Sequence, residues 1–343
     1  MSSKLSSVFF LLVVGLVLSL LLYLGTFAGG IFRSPGGDAS PVHFVITKNE
    51  NLGSIAQDLR EKGLIVSTRT FEAYVWLRGW SRSLQAGEYT LGYDLNVREL
   101  AQILASGSDA ASERTITIIE GWTIDDIARY LEKQGVVTAD DFRQALDRLA
   151  DHETVSVLAD KPASASLEGY LFPDSYRIFK GASADEVASK MLNTLDQKLA
   201  PDLRSAIAKR GQSIFTTLTV ASILEKEIRD PADLPIAADV IYKRLGVGEL
   251  LQSDATLNYL LATGNKKPQL TFEDLKNPSS YNTYVHPGLP PGPIANPGLA
   301  AIKAAIYPDT NDYWYFLTDK EGHTHFAKDY ETHLANKRKY LDN

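Results

Sequence analysis

Two stretches of this chain follow one residue pattern, and that repetition restricts the fold more than any other feature. A shift of 72 residues places Ile55 on Ile127, Ala56 on Ala128, Leu59 on Leu131 and Gly63 on Gly135. In the first copy Leu52 to Lys62 reads as an amphipathic helix ended by Gly63. A strand-like stretch leads each copy, Pro41 to Thr47 and then Thr115 to Glu120. An apolar link, Leu64 to Val66, leads to a helix capped by Ser67, with Phe71, Tyr74, Val75 and Leu77 facing inward. In the second copy Thr138 is the cap and Phe142 takes nearly the place of Phe71. Glu88 to Leu91 is a second strand and Val97 to Ala105 a third helix. These reappear at a shift of 87, with Tyr89 on Tyr176, Leu91 on Ile178, Glu99 on Glu186 and Leu100 on Val187. The second copy therefore carries an insertion of about fifteen residues around Asp160 to Tyr170. A unit of strand, helix, link, helix and strand used twice predicts a small α+β module in tandem. Chance likeness between amphipathic helices is the competing explanation, and the matching glycines and downstream elements weigh against it.

Ahead of the repeats, Val8 to Phe27 contains no charged residue. Twenty helical residues span roughly 30 Å, the thickness of a bilayer's hydrocarbon core. Lys4 precedes the run and Arg33 follows it, which predicts a cytoplasmic N-terminus and the bulk of the chain outside. A cleaved signal peptide is the alternative. The run is long for one, and Thr26-Phe27-Ala28 is a poor cleavage site. Ser34 to Pro41 (SPGGDASP) reads as a linker. From about Ser205 the character changes. Helices are expected over Ser213–Arg229, Leu234–Leu245, Leu299–Ile306 and Glu331–Leu341, with an aromatic strand at Tyr313–Leu317.

The net charge of -7 and pI near 5.5 weigh against a nucleic-acid partner, which needs a basic footprint. The absence of cysteine removes disulfides, thiolate nucleophiles and Cys-based metal sites. A hydrophobic fraction of 44% allows a buried core.

On the Ser213–Arg229 helix, Glu225 shares a stripe with Ile214, Leu218 and Ala221. Burial there disfavours the charged carboxylate and raises its pKa, as a general acid requires. A rim glutamate paired with a Lys or Arg fits the same periodicity. Asp254, in LQSDAT (Leu251–Thr256), is a second carboxylate, equally readable as the N-cap of the helix through Tyr259. The stretch Tyr281 to Pro297 (YNTYVHPGLPPGPIANP) holds five prolines, two glycines, two asparagines and two tyrosines. A stiffened loop with rings and amides suits sugar binding, and it equally suits a structural wrap over the core. His323, His325 and His333 lack metal-ligand spacing, so no metal is expected.

Together these motifs resemble the YceG-like (MltG) family of endolytic murein transglycosylases. The resemblance runs over nearly the whole chain. It rests on LEGYLFPDSY (Leu167–Tyr176), ASILEKE (Ala221–Glu227), LQSDAT and the proline-rich stretch. It implies that Glu225 is the catalytic glutamate and Glu227 a supporting residue. Gln252, Asp254, Asn282, Tyr284 and Gly288 to Ile294 match cleft-lining positions, and Glu168 and Asp174 fall in another family motif. The spacing of histidine before Phe326 departs from the family pattern.

The implied reaction cleaves the β-1,4 bond from N-acetylmuramic acid to N-acetylglucosamine. One glutamate gives its proton to the leaving oxygen, then deprotonates the muramic C6 hydroxyl, which closes a 1,6-anhydro ring. No water is used, so paired carboxylates are dispensable. Asn282 or Gln252 is expected to steady the N-acetyl group. No cofactor is implied. The implied partners are glycan strands, the membrane and peptidoglycan synthases. A hydrolase pairing Glu225 with Asp254, and a non-catalytic glycan-binding scaffold, are the rival readings. The expected architecture is α+β: an anchor (1–33), a linker (34–41), a LysM-like module (42–110), a related module with an insertion (111–204) and a mixed α+β catalytic core (205–343).

Overall fold

The computed structural model describes residues 25, 29–36, 42–107, 113–150, 155–179, 181–261 and 270–341. Apart from Gly25, the apolar run Val8–Phe27 lies outside them, as does residue range 37–41 of the expected linker. Among the described residues no helix is long and apolar enough to cross a membrane. The chain is mixed α+β and divides into two compact units. One runs to Arg114 and includes Arg177–Gly181; the other comprises Thr115–Tyr176 and Ala182 onward.

The first unit holds β1 (Val42–Ile46), α1 (Leu52–Glu61), α2 (Thr68–Leu77), β2 (Gly87–Leu91) and α3 (Val97–Ser106). β1 and β2 pair antiparallel with Phe44 opposite Tyr89. Period-2 alternation buries Phe44, Ile46, Tyr89 and Leu91 on one face, against Ile55, Leu59, Phe71, Leu100 and Leu104 from the helices.

The same devices return in β3 (Glu113–Thr117), α4 (Ile124–Lys133), α5 (Ala139–Ala150), β4 (Ser175–Phe179) and α6 (Ala184–Lys198). β3 pairs with β4. It starts two residues before the expected Thr115 and ends at Thr117, after which the Ile118 N–H bonds the Asp174 carbonyl. Asn51 caps α1 and Thr123 caps α4. Both helices end in the same left-handed glycine, Gly63 (φ 71°) and Gly135 (φ 63°). In each, the glycine N–H and the next N–H turn back to the last carbonyls, Leu64 to Leu59 and Val136 to Leu131. Capping boxes open α3 (Asn96, Glu99) and α6 (Ser183, Glu186). The Tyr89 hydroxyl donates to the Gln85 carbonyl and the Tyr176 hydroxyl to that of Phe172, both four residues back. Agreement at caps, glycines and tyrosines makes the repeat structural.

The remaining helices are α7 (Pro201–Lys209), α8 (Ile214–Glu227), α9 (Leu234–Val247), α10 (Asp254–Leu261), α11 (Leu299–Ile306) and α12 (Tyr330–Tyr340). β5 (Tyr315–Thr318) and β6 (Thr324–Ala327) form an antiparallel pair. α8 is the central element: α11, α9, α10 and α7 all pack on it. It therefore carries buried residues all round, from Thr217 to Leu224. α12 lies on the β5–β6 pair.

Candidate active site

The N-terminus of α8 is held twice. Ser213 accepts from the Thr216 N–H, and the Asp160 carboxylate accepts from Ile214 and Phe215 (2.6 and 3.1 Å). The helix ends at Ile228, which is extended. Its last turn carries both glutamates of ASILEKE. Two residues are about 200° apart on a helix, so Glu225 and Glu227 leave α8 on opposite sides.

Glu227 faces a pocket of about 270 Å³. Gln252, Asp254, Tyr284 and Arg244 line the same pocket, and Glu225 is not among its lining residues. One oxygen of Glu227 accepts from the Ser253 hydroxyl and from the Ala255 N–H (3.2 Å). Its carboxylate thus holds the first turn of α10, where unpaired N–H groups favour negative charge. The Tyr284 hydroxyl donates to Asp254 at 2.6 Å. Burial, then the Asp254 carboxylate and then the Glu227 charge push the Tyr284 phenol up. The three groups therefore share one electrostatic environment. Gln252 adopts φ 53° without being glycine, strain of the kind that clusters at working sites.

The proline-rich loop supplies the fastening. Thr283 accepts the Gln252 N–H at its carbonyl (3.0 Å) and the Ser253 N–H at its hydroxyl (3.0 Å). Farther along, the Ile294 N–H donates to Ser222 of α8 (3.0 Å). So the loop is pinned to α8 and delivers Tyr284 beside Asp254.

On the other side of α8, Glu225 is half-buried. It accepts the Gly298 N–H at 3.0 Å, at the start of α11. Its carboxyl pKa is raised by burial, opposed by that hydrogen bond and raised further by the Glu120 charge. Lys226 donates to the Gly121 carbonyl (3.0 Å). Next to this, Glu168 is 4% exposed and its pKa is pushed up to about 8, mainly by burial. It accepts the Ile124 N–H at the head of α4 (3.1 Å) and the Asn296 amide (3.0 Å). Asn296 also accepts the Leu171 N–H at its side chain and bonds Trp122 (2.9 Å each). This side of α8 is a polar joint between α4, the LEGYLF segment and the end of the loop.

Residues 44–339 match the sequence profile of the YceG-like family. The chain belongs to that family. An endolytic murein transglycosylase of Bacillus subtilis is 33% identical over 309 residues, covering 88% of this chain and 85% of that protein. One from Streptococcus pneumoniae serotype 2 is 29% identical over 325 residues, 87% of this chain, which spans 58% of that longer protein. The crystal structure of a yceG-like protein from Listeria monocytogenes is 32% identical, with a TM-score of 0.58 over 87% of this chain and 99% of that one.

Within this YceG-like chain the expected site residues fall into two groups. Glu227, Gln252, Asp254 and Tyr284 come together in the pocket. Glu225 and Glu168 lie in the joint on the other side of α8. Asn282, expected to line the cleft, is fully buried. Both amide hydrogens go to loop carbonyls, those of Leu275 (3.0 Å) and Asn277 (2.7 Å), and its oxygen takes the Tyr284 N–H. Asp254 is not an N-cap but the first residue of α10, and Glu227 supplies the cap from a different helix. The sequence reading missed Ser253, Arg244, Tyr315, His333 and Lys337 as pocket residues. No local signal marks them, because they come from four separate elements. His325 is engaged by Asp319 at 2.8 Å and stacks on Tyr340. Asp319, Glu321 and His323 offer ligand atoms within 4.8 Å of one another at the surface.

Proposed function

We propose that the protein is an endolytic lytic transglycosylase of peptidoglycan, with Glu227 as general acid and base. The observation that carries the assignment is the position of Glu227 in the pocket with Gln252, Asp254 and Tyr284. Glu227, protonated on the oxygen that does not accept from Ser253 and Ala255, gives that proton to the leaving glycosidic oxygen as the bond to the muramic anomeric carbon breaks. The carboxylate so formed takes the proton of the C6 hydroxyl, whose oxygen bonds the anomeric carbon. Glu227 ends protonated, and the product carries a 1,6-anhydro end. Asp254, oriented by the Tyr284 hydroxyl, is placed to offset positive charge on the sugar.

A second reading keeps Glu225 as the acid. Its raised carboxyl pKa favours it, since a general acid must hold its proton near neutral pH. A hydrolase using Glu227 and Asp254 together is the third. The deciding experiment is mass spectrometry of peptidoglycan digested by the full chain, by Glu227→Gln and by Glu225→Gln. Anhydro ends that vanish only with Glu227→Gln are the expected result. Loss only with Glu225→Gln would move the acid to the other side of α8. Reducing ends would establish hydrolysis.

The reading extends to the rest of the chain. Val8–Phe27 would anchor it in the cell membrane with the bulk outside, near peptidoglycan synthases, so that cleavage limits strand length. The two modules would act as LysM-like glycan holders; their matched strand–helix–helix–strand make-up supports this.

A further inference from the structure

The pocket has a cationic wall that the reaction above does not use. Arg244 of α9, Tyr315 of β5, and His333 and Lys337 of α12 all line it. The Arg244 guanidinium sits 5.2 Å over the Tyr315 ring, and the His333 ring stacks on Tyr315 at 5.2 Å. His333 and Lys337 are four residues apart on α12 and so share a face. Burial, then Lys337 and then Arg244 lower the His333 pKa, which places the three groups in one field.

Two of these groups have spare capacity. His333 Nδ1 is buried without a hydrogen-bond partner. The exposed Lys337 ammonium makes no ion pair or hydrogen bond among the described residues. Arg244 is fixed by the carbonyls of Leu250 and Trp314, with Glu249 at 3.8 Å, so it supplies charge from a set position. A neutral sugar gains nothing from the two cations, Arg244 and Lys337, with the His333 ring beside them as a hydrogen-bonding group. A glycan bearing a carboxylate or phosphate does.

Resting on the transglycosylase reading, we propose that Lys337 and His333, backed by Arg244, form a subsite for an anionic group carried by the glycan strand. Two sources have that chemistry: carboxylates of the peptide stems, and a pyrophosphate at a lipid-linked strand end. Glu227 and Asp254, lining the same pocket, handle the bond to be cleaved, and the cationic wall selects which strand is seated.

The test compares kcat/KM for anhydro-end formation on three strands. The first has native stems, the second has stem carboxyls converted to amides, and the third has amidated stems plus a terminal lipid pyrophosphate. Wild type should prefer one anionic strand over the second by roughly tenfold, the size of one charge-assisted contact. Lys337→Met should erase that preference through KM, and Lys337→Arg should keep it. Preference for the first strand identifies the stems; preference restored only by the third identifies the pyrophosphate. If wild type cleaves all three equally, or Lys337→Met leaves the preference intact, the anion subsite is overturned while the transglycosylase reading stands. Folded wild type that cleaves none of them would remove that reading, and the subsite with it.

Discussion

Glu225 and Glu227 leave the same turn of the same helix and meet opposite surroundings. Glu225 points toward the start of α11, where its partner is the Gly298 N–H. Glu227 faces the pocket and holds the start of α10. The first has the pKa direction of an acid, and the second lines the pocket. Catalysis needs a group that reaches substrate, and burial alone raises a pKa whether or not substrate can arrive. Glu168 makes the point: its carboxyl is pushed up to about 8 inside the joint, where its partners are the Ile124 N–H, Asn296 and the Tyr259 hydroxyl.

The largest expected difference between the two sides is in rate. Glu227→Gln should lower anhydro-end formation by about 10²–10⁴-fold, the usual worth of a general acid or base. Circular dichroism should show the fold intact. Glu225→Gln keeps an oxygen for the Gly298 N–H and relieves the repulsion with Glu120, so its rate should stay within about threefold and its stability should hold or rise. A reversed pair of results would break the comparison.

The joint should answer in stability instead. Gly169 sits at φ +86°, and a Cβ there would lie 2.5 Å from that of Pro293. Neither the backbone nor the ring gives way easily, so Gly169→Ala should cost about 3 kcal/mol in denaturant unfolding. Glu168 adds a pH signature. Its folded pKa of about 8 lies above the reference value of 4.5, so folding favours the protonated form. Between those values the unfolded chain has released a proton that the folded chain keeps. Stability from this group is complete below the lower value and is lost as pH rises through the upper, by at most about 1.4 kcal/mol per pH unit. Unfolding curves across that window should slope for the wild type and flatten for Glu168→Gln. Equal slopes would mean that Glu168 is ionised in the fold.

The repeat was legible because everything that fixes it is local: caps three residues from their partners, glycines at helix ends, tyrosines bonding four residues back. α8 was legible as a helix, but it is buried all round from Thr217 to Leu224, so the stripe of Ile214, Leu218 and Ala221 is not set apart from its other faces. The site was only partly legible. Periodicity reports which face of a helix meets other protein, and so it singles out Glu225. It carries no word of where a pocket opens, since that depends on Tyr284, Tyr315 and Lys337 arriving from far along the chain. Asn282 looked like a ligand group because amides bind sugars, yet whether an amide faces substrate or its own loop is set by turn geometry that composition does not encode.

The smallest effect tests the pocket side alone. The Tyr284 hydroxyl donates to Asp254 at 2.6 Å, and Tyr284 is half-buried. Tyr284→Phe leaves the ring and removes that donor. The Asp254 carboxylate is exposed, so water replaces the lost bond and stability should change by under about 1 kcal/mol. What is lost is orientation. If Asp254 offsets charge on the sugar as the bond breaks, an unfixed carboxylate weakens the transition state more than the bound substrate. kcat should then fall by about tenfold with KM little changed. Asp254→Asn should lose at least as much, and adding Tyr284→Phe to it should cost little more, because the two act as one unit. If KM rises instead and kcat holds, the pair binds substrate uniformly, and Glu227 works without the help of a second carboxylate.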